Sequence, residues 1–350
     1  MVTHLRPPSE PPTRTDRASH PQTVRQLVDV MREDGIGEAS DWSAPIATGF
    51  DLLDRVLEGG MHAQDLMLIG GSPGVGKTIA ALQIARHVAL CDRDVVFISY
   101  EHGSATMLGR LLALELGNLT AGDNAPEIDR LRNLVVEATS GYRSLEDLLL
   151  SEPLLTEAHR RMDAYADRLW LVRGSGSHTD LDAIERTMPA TSEGQEPLLI
   201  VDYLQKVPVR PEPDSEAEKV TRVAEGLKDL ALRRSVAVIA LVAADWEGVR
   251  AGRVRMHHLR GSSALGYECD IALMLNDKHR AVSRTHLTYD PVKAETFHHQ
   301  VVFTVEKNRG GPAMVDLEFR KDFMHYRFDP VGGYLMERLS DDRLAAESGL

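Results

Sequence analysis

The sequence predicts an α/β protein: a mainly parallel sheet flanked by helices, with a C-terminal β-hairpin. Three observations predict it. Apolar strand candidates recur at 66–70, 94–99, 168–172, 197–202, 236–242, 270–275 and 300–306, with helical stretches between most of them. Alternation of that kind gives a parallel sheet covered by helices. A glycine-rich run, Gly71-Ser72-Pro73-Gly74-Val75-Gly76-Lys77-Thr78, joins the first of these strands to a helical stretch beginning at Ile79. The last strands, 300–306 and 313–319, follow a polar loop and read as a terminal hairpin.

Bulk composition narrows the classes. With 350 residues, 43% hydrophobic and 27% charged, the chain can bury a substantial core. Its 40 basic and 53 acidic residues give a net charge of −13. That charge excludes a surface that coats nucleic acid as a whole, but it permits a local basic groove. Cys91 and Cys269 form neither a C-x-x-C pair nor a zinc spacing, so both are expected to be reduced and structural. No run of about eighteen apolar residues predicts a membrane span, and the first residues lack the apolar core of a signal peptide. A cytoplasmic location is the expectation.

In chain order, residues 1–45 read as a tail and linker. Pro7, Pro8, Pro11, Pro12 and Pro21 among Ser, Thr and Arg predict disorder up to about residue 22. Val24, Leu27, Val28 and Met31 share one face of an expected helix over 23–34. That helix either packs on its own domain or docks on a neighbouring subunit. The folded domain is expected over 46–328. Within it, 119–157 is rich in Asp, Glu and Leu, with Pro126 and Pro153 as breaks, and reads as a small helical insertion. Residues 329–350 form a C-terminal extension, in which Leu335, Leu339 and Leu344 predict a short helix over 334–347.

The glycine-rich run carries the chemistry. It matches G-x-x-x-x-G-K-[ST] at every fixed position and lies between a strand and a helix, the context that a phosphate-binding loop needs. Its glycines let backbone N–H groups close around phosphates, and the helix N-terminus adds a favourable dipole. Lys77 would neutralise phosphate charge, and Thr78 would hold a magnesium ion. The strand over 197–201 leads into Asp202, an acid placed to help hold that metal. The strand over 95–100 leads into Glu101, placed to orient and deprotonate an attacking water. ATP is the expected nucleotide, because no N-K-x-D run is present to read guanine.

These elements resemble the RecA-like core of the DnaB replicative helicase family over about residues 46–328. The opening Thr48-Gly49-Phe50-Asp51-Leu52-Leu53-Asp54 with Gly59-Gly60, the run Asp202-Tyr203-Leu204-Gln205, the segment Leu259-Arg260-Gly261-Ser262-Ser263 and the element Lys307-Asn308-Arg309-Gly310-Gly311-Pro312 carry the likeness. The resemblance implies a RecA-like P-loop ATPase that uses ATP and Mg2+. It implies Glu101 as catalytic base and Asp202 as the Walker B acid. Lys307 and Arg309 would enter the neighbouring subunit's nucleotide site, with Arg309 as a finger on the γ-phosphate. A homo-oligomeric ring, expected to be a hexamer, follows, with single-stranded DNA in its channel. Arg250, Arg253, Arg255, Arg260 and Gly261 are the candidate DNA contacts in the loop from Trp246. Trp42, Trp170 and Trp246 are otherwise expected to be packing residues.

The chain departs from the family's pattern in three places. Only about forty-five residues precede the core, so the family's N-terminal domain is not expected. Val242-Ala243 stand where the family carries a Ser-Gln pair that senses phosphate or DNA, and His102 follows Glu101 where the family has Met. These departures keep a second use open: an oligomeric regulatory ATPase resembling the clock ATPase KaiC, acting on a protein partner.

Overall fold

The computed structural model describes residues 23–25, 44–120, 125–189, 196–261 and 263–340. The expected tail, most of the expected 23–34 helix, Trp42 and Leu344 lie outside the described residues. The chain divides into two compact units, 1–43 and 44–350. The first is described only at residues 23–25, where Val24 and Arg25 are helical.

Among the described residues, the second unit is built on a ten-stranded sheet. Its strands are β1 (Leu66–Gly71), β2 (Val95–Ser99), β3 (Leu169–Arg173), β4 (Leu198–Asp202), β5 (Ala237–Ala243), β6 (Ile271–Asp277), β7 (Gln300–Asn308), β8 (Val315–Asp322), β9 (Arg327–Phe328) and β10 (Gly333–Tyr334). The order is β10-β8-β7-β6-β1-β5-β4-β2-β3, with β9 paired to β8. From β6 to β3 all neighbours are parallel, and β7 joins β6 and β8 antiparallel. The sheet is therefore α/β and mainly parallel, with the hairpin β7–β8 at its C-terminal side.

The central strands are buried on both faces, which explains why they read as continuous apolar runs rather than alternating ones. Met67, Ile69, Phe97, Ile200, Ile239 and Leu273 point to one face. There they meet Ala81, Ile84 and Val88 of the first long helix, α1 (Lys77–Leu90). Leu66, Leu68, Val96, Ile98, Leu199 and Val201 point to the other face, against Val220, Val223 and Leu227 of α2 (Glu216–Arg234). The Ser215 hydroxyl caps α2 by accepting from the Glu218 N–H at 3.1 Å, one of the free donors that any helix start must satisfy. No helix among the described residues is long and apolar enough to cross a membrane.

Helices at Ala125–Thr139, Leu145–Ser151 and Pro153–Asp163 fill the region of the expected insertion. They share a small core with the helix Ser104–Leu119, built from Leu112, Leu116, Leu131, Val135, Leu148, Leu155 and Ala158. Pro153 marks the expected break, between the helices Leu145–Ser151 and Pro153–Asp163. It opens the last helix, where a missing N–H costs nothing. Residues 335–340 are irregular rather than helical, with a single bridge from Leu339 to Val282. The Leu335 N–H donates to the Asp316 carbonyl at 3.1 Å, and the Ser340 N–H to that of Ala281 at 2.8 Å. The edge of β8 and the buried Leu339 side chain outweigh the weak helical spacing.

Candidate nucleotide site

β1 ends at Gly71, which lies beside Ala243 of β5 and Leu275 of β6. The chain then turns through the glycine-rich run into α1, so the run sits outside the carboxyl ends of the parallel strands, where open α/β sheets bind ligands. Gly76 caps α1 at φ +103°, a left-handed conformation, and a Cβ there would lie 2.5 Å from Phe328. Only glycine fits both demands. Phe323 and Phe328 form the wall behind this turn. No local signal announces them, because β8 and β9 bring them back from the far end of the chain.

Lys77 Nζ donates to the carbonyls of Gly71 at 2.9 Å and Ser72 at 3.0 Å. Burial pulls its pKa down to about 8, against the attraction of Asp202 and Glu101. The Thr78 hydroxyl donates to Asp202 Oδ2 at 3.1 Å. Asp202 ends β4 and is buried. Burial, and then the negative charge of Glu101, push its pKa up to about 6, while Thr78 and Lys77 oppose the shift. Ser99 of β2 is in register with Asp202, and the Tyr100 N–H donates to the Asp202 carbonyl at 2.7 Å. Glu101 follows directly and is exposed.

The fold thus gathers Lys77 and Thr78 at the start of α1 with Glu101 after β2 and Asp202 at the end of β4. The chemistry of the set fits a magnesium nucleotide. Thr78 and Asp202 offer hard oxygen donors. The fourteen-residue α1 points its N-terminal N–H groups at the run. Lys77 occupies two backbone acceptors that a phosphate oxygen can replace. Gln205 holds the region together: its Nε2 donates to the Arg260 carbonyl at 3.0 Å and to the Ala243 carbonyl at 3.4 Å.

Lys307 and Arg309 lie elsewhere. Arg309 Nη1 pairs with Asp270 Oδ1 at 3.0 Å, and Nη2 donates to the Tyr267 carbonyl at 2.6 Å. Lys307 Nζ donates to the carbonyls of Gly266 and Cys269 at 2.8 and 2.5 Å. Asp270 also binds Lys228 Nζ at 2.7 Å and accepts the Leu66 N–H at 2.8 Å. Leu66 is the first residue of β1 and Gly71 the last. Five strand steps of about 3.3 Å therefore put Arg309 roughly 17 Å from the glycine-rich run of its own chain. Asp270 is a residue that sequence reasoning missed. The only signal was an acid immediately before an apolar strand.

The four candidate arginines separate. Arg253 is 8% exposed and pairs with Asp316 at 2.9 Å. Arg255 pairs with Glu306, which also accepts the Met256 N–H at 2.8 Å. Both point into the body of the domain. Arg250 is exposed, and Arg260 keeps about half its side chain in solvent while pairing with Glu216 at 2.8 Å. Gly261 adopts φ +121° against Val220.

Comparison with known proteins fits this geometry. Residues 45–328 match the family described as the DnaB-like helicase C terminal domain. The replicative DNA helicase DnaB of Treponema pallidum (strain Nichols) is 26% identical over 286 residues, which cover 80% of this chain and 55% of the helicase. The replicative DNA helicase DnaC of Bacillus subtilis (strain 168) is 27% identical over 312 residues, covering 82% and 58%. The chain therefore spans a little over half the length of these relatives. Among solved structures, an isolated ATPase domain superimposes with a TM-score of 0.64 at 22% identity, covering 87% of this chain and 96% of that one. A DnaB-like replicative helicase, described with its interactions with primase, gives a TM-score of 0.65 at 21% identity, covering 88% and 68%. At such identities the two structures speak for the fold alone.

Proposed function

This chain belongs to the DnaB-like helicase C-terminal domain family, and we propose that its RecA-like ATPase domain hydrolyses ATP with Mg2+ and couples turnover to single-stranded DNA. The observation that carries the reading is the gathering of Lys77, Thr78, Asp202 and Glu101 at one end of the sheet while Arg309 stands at the other. No subunit can complete its own site from that arrangement. Arg309 and Lys307 act on the nucleotide of an adjacent copy, in a ring expected to be hexameric.

Each residue has a distinct task in this reading. Lys77 exchanges its Gly71 and Ser72 carbonyl partners for phosphate oxygens. Thr78 and Asp202 hold the metal. When bound, magnesium supplies neutralisation of the charge that builds on the transferring phosphoryl group. Glu101 orients the attacking water and takes its proton. Arg309 adds positive charge where the transition state becomes more negative.

Arg250, Arg260 and the backbone at Gly261 remain as the DNA contacts, since Arg253 and Arg255 are tied to carboxylates that are mostly buried, whereas the Arg260–Glu216 pair is open to solvent. One observation favours a second use. Val242 and Ala243 stand beside Gly70 and Gly71 and offer no side-chain donor or acceptor there. A KaiC-like regulatory ring acting on a protein partner fits that feature.

ATP hydrolysis measured with and without single-stranded DNA, at low and high salt, decides between them, with Lys77→Ala as the blank. Salt-sensitive stimulation supports DNA coupling. Turnover that ignores DNA rejects it and leaves the regulatory ring.

A further inference from the structure

Trp246 is 67% exposed, although a tryptophan carries the largest apolar surface of any side chain. It is not on a loose loop. It opens the short helix Trp246–Arg250, which Asp245 caps by accepting the Gly248 N–H at 2.7 Å. That helix is held close to the domain. A Cβ on Gly248 would lie 2.6 Å from His258, and Arg280 Nη2 donates to the Val249 carbonyl at 2.9 Å. The rest of the connection is pinned as well. Asn276 Oδ1 accepts the Val254 N–H at 2.6 Å, and Arg253 and Arg255 are tied to Asp316 and Glu306. The Arg250 guanidinium lies 5.0 Å from the centre of the Trp246 ring. A cation on one face of an indole orients it and leaves the other face for a partner.

The surroundings suggest which partner. Residues 243–245 run antiparallel to 258–260. Ala244 bridges Leu259, the Arg260 N–H donates to the Ala243 carbonyl at 2.9 Å, and the Asp245 N–H donates to the His258 carbonyl at 2.8 Å. Arg260 stands at one end of this ladder, and Trp246 directly follows its other end. Three residues of extended chain separate them, about 10 Å. A rigid aromatic platform next to a solvent-accessible arginine is the combination that binds unpaired nucleic acid: the ring stacks on a base and the cation meets the backbone. From this we infer that Trp246 stacks an unpaired base of single-stranded DNA, braced by Arg250, while Arg260 takes a neighbouring phosphate. The inference rests on the DNA-coupled reading above and adds to it a contact made to a base rather than to the backbone.

The test uses the full chain and two deoxyoligonucleotides of equal length, one of thymidines and one abasic throughout. Trp246→Ala should weaken binding of the thymidine strand about tenfold and leave the abasic strand unchanged, because only the base is lost from the contact. Trp246→Phe keeps a ring and should recover most of the affinity. The tryptophan emission quenched by the thymidine strand in the parent should be absent in Trp246→Phe. The inference is overturned if Trp246→Ala weakens both strands alike or neither. It is also overturned if Trp246 emission follows protein concentration and ignores DNA, which would place the ring in an interface between copies. Failure of the parent to bind either strand would instead overturn the DNA-coupled reading on which it rests.

Discussion

Arg309 and Asp270 are paired at 3.0 Å at the end of β1 opposite the one that carries Lys77. Lys228 shares the same carboxyl group at 2.7 Å, so Asp270 keeps a cationic partner when Arg309 is removed. Arg309→Ala should therefore fold normally and bind nucleotide, yet lose about a thousandfold in turnover. Mixing it with Lys77→Ala subunits should restore part of the activity. In such a mixture some intact phosphate loops face an intact arginine from the next copy. Recovery of hydrolysis in the mixture is the measurement, and no recovery at any ratio would sink the trans assignment.

Glu101→Gln should retain nucleotide affinity and lose roughly 10²–10⁴-fold in turnover, the range for removal of a positioned base. Single-turnover hydrolysis with prebound nucleotide separates the chemical step from binding. A variant that turns over at the parent rate would remove Glu101 from the mechanism.

Nucleotide affinity should be greatest between about pH 6 and pH 8, the two values to which burial moves Asp202 and Lys77. Below the lower value Asp202 is protonated and holds a cation poorly. Above the upper one, free Lys77 is neutral and holds phosphate poorly. Titration with a non-hydrolysable ATP analogue from about one pH unit below the Asp202 value to about one above the Lys77 value reads both limbs.

Asp202 also leaves a signature in stability. Its pKa in the folded state is raised from 3.8 to about 6, so ionisation costs the fold. Without ligand, that cost sets in as pH rises from about 4 to about 6, on the order of 2–3 kcal/mol. Asp202→Asn should lack this loss, and above about pH 6 should unfold at higher denaturant than the parent while failing to hydrolyse ATP. Equal midpoints for the two proteins across that range would contradict the assigned shift.

Arg260→Ala and Arg253→Ala should part company. The first should weaken DNA binding and lower the salt slope by about one, with little change in stability, because its pair with Glu216 is exposed. The second should leave the slope unchanged and cost roughly 2–4 kcal/mol, because Asp316 loses the partner it meets at 2.9 Å. A reversed pattern would mean that the loop turns its arginines the other way in solution.

The candidate nucleotide site was legible because each of its parts is announced locally. Residues 71–78 are contiguous, and Asp202 and Glu101 each close an apolar strand. The sheet was legible for the same reason, since two-sided burial writes itself as unbroken apolar runs. What could not be read was direction. Arg253, Arg255 and Arg260 look alike in sequence. Two of them turn inward only because β7 and β8 bring Glu306 and Asp316 to them from more than fifty positions away. Residues 335–340 show the same limit. Leu335 and Leu339 have helical spacing, but the edge of β8 offers hydrogen bonds that spacing cannot reveal.

The placement of Arg309 and the glycine-rich run at opposite ends of β1 also bears on the symmetry of the proposed assembly. In the proposed ring each copy would use its two ends on two different neighbours, a head-to-tail contact of the heterologous kind. Successive copies in that proposed ring would follow one another with a single polarity. Such a chain stops growing only by meeting its own start, and otherwise it continues as an open helix. The number of copies would then follow from the rotation between neighbours, and Asp270, which holds both Arg309 and Lys228, stands where that rotation would be set.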